Sequence, residues 1–108
     1  QYYETTGEYK SVAWTIRRHA LPPYRPMNYR QFTDNVFKVF VGWTWDKLFL
    51  RSFVEEQRLY FQEQRTSNDL LFTFLAIVTA KNIEILDEVL IHQRRDNQNS
   101  LSNTRWQR

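Results

Sequence analysis

Both glycines and all three prolines of this chain stand in its first 42 residues, at Gly7, Pro22, Pro23, Pro26 and Gly42. Neither residue type recurs between Trp43 and Arg108. Tight turns between strands recruit Gly, or Asn and Asp beside it, to reach positive φ. A multi-stranded sheet built after Trp43 would lack that chemistry, whereas long helices do not need it. The expectation is an all-α chain, extended rather than globular, with one short N-terminal helix, a proline-rich elbow and two long helices.

The same punctuation divides the single unit. Residues 1–20 form an N-terminal segment with a short helix expected over 8–19, and residues 21–32 form the connector. Within it, Leu21-Pro22-Pro23-Tyr24-Arg25-Pro26 is expected to be extended, because each proline fixes φ and biases its predecessor away from helix. Thr33 or Asp34 is the expected cap of an aromatic long helix over 33–65. In that helix Arg51 and Glu55 fall at i,i+4, and Glu55 and Arg58 at i,i+3. Thr66-Ser67-Asn68-Asp69 is a polar break, with Thr66 or Ser67 as the next cap and Asp69 in the first turn. A second long helix is expected over 69–95, on the spacing of Leu71, Leu75, Val78, Ile85 and Val89, with Arg94 and Arg95 in its last turn. Residues 96–108 read as a polar tail that Trp106 could pin.

One stretch carries a competing signal. Phe37, Val39, Val41, Trp43 and Trp45 alternate with Lys38, Phe40, Gly42, Thr44 and Asp46, which suits a strand. The run then continues from Lys47 to Arg65 without Gly, Pro or Asn, which favours helix. The aromatic load, with 8 Phe, 6 Tyr and 4 Trp, bears on the outcome. A helix over 33–65 would extend about 48 Å, whereas a compact domain of this length has a radius of gyration of about 13 Å. Such a rod needs a partner helix, a bilayer or both.

Two segments invite comparison with membrane spans, which take roughly 20 predominantly apolar residues. Residues 36–54 are rich in Phe, Trp, Val and Leu but carry Lys38, Asp46, Lys47 and Arg51. Residues 70–80 are uncharged, then meet Lys81 and Glu84. Neither meets the test strictly, and two buried helices account for both. Charge asymmetry keeps a transmembrane or membrane-associated helix at 36–54 in view. Lys10, Arg17, Arg18, Arg25 and Arg30 precede it with no acid between Lys10 and Thr33, while Glu55, Glu56, Glu63 and Asp69 follow. Such flanks place the N-terminal side in the matrix or cytoplasm.

Catalytic and metal chemistry find little footing. Without cysteine there are no disulfides and no thiolate ligands. His19 and His92 are remote in sequence and neither belongs to a ligand-spaced cluster. Glu55-Glu56 and Asp87-Glu88 are sequence neighbours, which diverge by about 100° on a helix and cannot share a proton. No glycine-flanked nucleophile elbow occurs. The chain is therefore expected not to be an enzyme, with no catalytic residue, metal, cofactor or small-molecule substrate.

A basic strip is more informative. Arg17, Arg18, His19, Arg25 and Arg30 interleave with Trp14, Tyr24 and Tyr29, a combination suited to phosphate neutralisation and base stacking. The net charge is only +3, and lipid headgroups or an acidic partner would suit the same strip. Pro23 and Pro26 match a polyproline ligand in outline, which a rigid connector explains equally well.

In layout the chain resembles the accessory subunits of mitochondrial inner-membrane complexes such as respiratory complex I or ATP synthase. The likeness rests on the basic elbow from Arg17 to Pro26, the aromatic stretch 36–54 and the charged continuation 55–65. The charges at Lys38, Asp46, Lys47 and Arg51 depart from that pattern. The resemblance implies an inner-membrane location and a non-catalytic bracing role beside other subunits. Phe37, Phe40, Trp43, Trp45 and Phe49 would then contact membrane lipid or partner, and Arg17, Arg18, Arg25 and Arg30 would contact headgroups or phosphates. The alternative is a soluble helical module that contacts RNA or protein in a ribonucleoprotein such as a mitoribosome.

Overall fold

The computed structural model describes residues 2–3, 9–11, 13–33, 35–94 and 98–101. Helix occurs in short pieces, α1 (Val36–Val39), α2 (Arg51–Glu56) and α3 (Leu70–Thr79). Strands β1 (Tyr2–Tyr3), β2 (Tyr9–Lys10) and β3 (Gln93–Arg94) form a three-stranded sheet in the order β2-β1-β3. β1 runs antiparallel to β2 and parallel to β3, with Tyr2 opposite Lys10 and Gln93. Single 3-10 turns occupy Ala13–Thr15, Arg18–Ala20 and Tyr29–Gln31. The extended all-α architecture with two long helices is therefore overturned, and the short N-terminal helix over 8–19 is replaced by β2 and two 3-10 turns.

Long-range pairing explains where the first long helix breaks. Asn35 caps α1, its Oδ1 accepting from the Phe37 amide at 3.0 Å; Asp34, one of the expected caps, lies outside the described residues. After one turn the backbone leaves helix at Phe40, with φ −114° and ψ 142°. There the Arg17 amide donates to the Val39 carbonyl at 2.9 Å and the Val41 amide to the Thr15 carbonyl at 3.2 Å. These bonds make Ile16 and Phe40 an isolated antiparallel bridge. Neither a helix nor a strand covers the alternating stretch beyond it. Gly42 comes so close to α3 that a β-carbon would collide with Leu70 and press on the Phe74 ring at 3.2 Å.

α2 keeps the Arg51–Glu55 pair read from the sequence, at 2.9 Å. It ends in a Schellman turn made without glycine. The Leu59 amide donates to the Val54 carbonyl at 3.1 Å and the Arg58 amide to the Glu55 carbonyl at 3.2 Å, while Arg58 takes φ 52°. Leu59 packs with Val54 in the same apolar cluster, the contact that usually accompanies such a turn.

The second long helix stops at Thr79. Ala80 turns extended, and four residues after Thr79 the chain is fastened to the connector. Met27 and Ile83 exchange both backbone bonds, at 2.8 and 2.6 Å. A helix continuing to 95 would have to break that pair, with Met27 fully buried. Arg95, expected in the final helical turn, and Trp106, expected to pin the tail, lie outside the described residues.

α3 is the spine of the core. Val36, Val39, Phe40 and Ile77 form one buried cluster, and Leu59, Phe72 and Ala76 form another. Each buried aliphatic or aromatic side chain contributes about 1.5–3 kcal/mol. Among the described residues no helix is long and apolar enough to cross a membrane. The ten residues of α3 rise about 15 Å against a hydrocarbon core of about 30 Å.

Candidate functional site

The loop after α1 is organised around Lys47. Its Nζ donates to the carbonyls of Val41 at 2.7 Å and Trp43 at 2.6 Å, and to Asp46 Oδ1 at 2.8 Å. All three ammonium donors are thereby used. The Lys47 amide closes a turn onto the Thr44 carbonyl at 3.0 Å, and Thr44 Oγ1 donates to Asp69 Oδ2 at 3.3 Å, which ties the loop to the start of α3. Burial holds the Lys47 pKa below its ordinary value, opposed by the Asp46 hydrogen bond and by the charges of Asp46 and Asp69.

This bracing sets the tryptophans. Trp43 and Trp45 stack with ring centres 4.6 Å apart at 23°, and Trp14 meets Trp43 edge-on at 5.5 Å. Trp14 arrives from the 3-10 turn Ala13–Thr15, which the bond from Val41 to Thr15 draws against the loop. Trp14 is 60% exposed and Trp43 and Trp45 are half-buried, so the cluster opens on solvent. Ring pairs of this geometry contribute about 0.5–1.5 kcal/mol beyond their buried area.

The other aromatic candidates separate. Phe37 is half-exposed and meets Phe74 edge-on at 5.0 Å. Phe40 is buried in the core against Phe32, so it offers no surface to lipid or partner. Phe49 packs edge-on against Phe72 at 5.2 Å, beside the second buried cluster. Leu48, Leu50, Tyr60 and Phe61 are exposed as well, and no sequence signal marks them, because a continuous helix over 33–65 would place them by periodicity alone.

The four arginines do not form one patch of equivalent cations. Arg18 pairs with Asp87 at 2.8 Å on the surface. Arg25 turns back on the connector, its Nη1 donating to the carbonyls of Pro22 and Tyr24 at 2.7 Å each. Arg17 is exposed near Trp14 in sequence. Arg30 is exposed on the rim of an open cavity of about 470 Å³ that is also lined by Tyr29, Phe32, Val36, Phe37 and Val78. No group of three or more His, Asp and Glu among the described residues converges to hold a metal ion.

No family model, curated protein or solved structure matches this chain.

Proposed function

We propose that the protein is a non-catalytic structural subunit of a larger membrane-associated assembly, of the mitochondrial respiratory or ATP synthase kind, joined through its aromatic face. The observation that carries this reading is the Trp14, Trp43 and Trp45 cluster, solvent-facing, with its Trp43 backbone held by the partly buried ammonium of Lys47. Ordered aromatic rings offer contact area at low entropic cost, and they are the side chains that most often anchor interfaces.

The inner-membrane placement rests on the basic elbow from Arg17 to Pro26, with the protein lying against its neighbours rather than threading the bilayer.

Affinity purification of the full chain after mild detergent extraction tests the proposal. The expected result is a defined set of membrane-complex subunits that is lost with Trp14→Ser, a change at an exposed ring. A monodisperse monomer that recovers no subunits would overturn it.

A second reading has one observation in its favour. Trp14 presents an exposed ring three residues from exposed Arg17, which suits stacking of a nucleobase beside a phosphate. Titration with single-stranded RNA at several salt concentrations separates the two, since phosphate contacts make affinity fall steeply with salt.

A further inference from the structure

We infer that residues 84–91 are a strand-addition site that takes an extended basic segment of a different protein. The stretch lies between two places where the chain already pairs as a strand. Ile83 is bonded both ways to Met27, and Gln93–Arg94 forms β3 at the edge of the sheet. Between them, among the described residues, no backbone hydrogen bond holds residues 84–91. Their amides and carbonyls are available to a neighbouring strand, the arrangement that edge pairing exploits.

The side chains fit the same use. Leu86, Val89, Leu90 and Ile91 are all exposed, at 43–60%, in a stretch anchored at both ends. Solvent does not reward that arrangement, whereas a strand laid alongside would cover it.

Charge selects the partner. Glu84, Asp87 and Glu88 are the ionisable residues of the stretch, and no base falls between Asn82 and Ile91. Arg18 already occupies Asp87 at 2.8 Å, which leaves Glu84 and Glu88 as the acids of the stretch for an incoming cation. A second copy of this chain is the wrong occupant. Antiparallel alignment of the stretch on itself brings Asp87 and Glu88 against their counterparts, and like charges opposed across a ladder are destabilising. The chain's own basic region contains Pro22, Pro23 and Pro26, which have no amide to donate.

The site shares no residue with the tryptophan face, and its test is a different one. The ¹⁵N-labelled full chain is titrated with a blocked eight-residue peptide alternating Lys and Val. Its counterparts are the same peptide N-methylated on alternate backbone nitrogens, and a Glu and Val peptide. The expected result is slowed amide exchange confined to residues 84–92, with binding weakened more than tenfold by N-methylation and absent for the acidic peptide. The surface variant Glu84→Gln, Asp87→Asn, Glu88→Gln should bind about tenfold more weakly with a flattened salt dependence, and Trp14→Ser should bind normally. Equal binding of the N-methylated peptide, protection elsewhere or nowhere, or a peptide-free dimer protected over 84–91 would each overturn the inference.

Discussion

The Lys47 ammonium lies 2.6 Å from the Trp43 carbonyl and 2.7 Å from that of Val41, so one partly buried cation holds the loop that carries the stacked tryptophans. Replacing it with methionine keeps the volume and removes the donors. Lys47→Met should cost about 1–3 kcal/mol, the penalty for stranding partly buried carbonyls. Urea denaturation followed by tryptophan fluorescence reads both the stability and the loosened ring stack.

Lys47 also makes stability depend on pH. Its pKa in the folded chain is depressed by burial below the ordinary 10.5, so between those two values the unfolded chain binds more protons than the folded one. Stability contributed through this group therefore rises with pH across that alkaline window. Lys47→Met should remove the rise, which comparison of urea midpoints at several alkaline pH values would show.

Arg58 stands in the left-handed region at φ 52° to close α2. A side chain there costs about 1–2 kcal/mol, partly offset in glycine by the larger entropy of its unfolded chain. Arg58→Gly should stabilise the protein by about 0.5–1 kcal/mol, and Arg58→Val should destabilise it. Thermal melts of the two variants give opposite shifts if the Schellman turn is formed.

Thr73 is fully buried on α3, and its hydroxyl meets no partner among the described residues. An unmet buried hydroxyl costs about 1–3 kcal/mol. Thr73→Val has nearly the same shape and should raise stability by about 1 kcal/mol, measured as a higher urea midpoint at unchanged slope.

Met27 is the counterpart, a fully buried side chain at the connector's bond to Ile83. Met27→Ala should destabilise the fold by about 2–5 kcal/mol, with calorimetric melting as the readout. A cost below about 0.5 kcal/mol would show that this fastening does not hold the core.

Local chemistry was legible in the sequence where both partners are close along the chain. The Arg51–Glu55 pair is one turn apart and forms. Thr66 to Asp69 interrupt the chain just before α3, although Asp69 takes the cap position without a side-chain bond there and instead accepts from Thr44. The helix lengths were not legible, because remote bonds set them. Phe40 leaves helix for Ile16, and the chain after Thr79 is taken by Met27. Gly42 follows the first break by two residues, but no glycine or proline marks the second. Arg58 likewise does the work of glycine at the end of α2. The tryptophan cluster was half visible, since Trp43 and Trp45 stand out together, but only the bond from Val41 to Thr15 brings Trp14 to them.

The bond between Met27 and Ile83 also sets a schedule for biosynthesis. A nascent chain whose elbow has left the ribosome must wait while residues 28–83 are made before the residue that seals Met27 emerges. Until then the apolar side chains that α3 will collect have no interior to enter, and such surface is what chaperones recognise. Truncations ahead of Ile83 should therefore be sticky and protease-sensitive, while those beyond it spare this fastening.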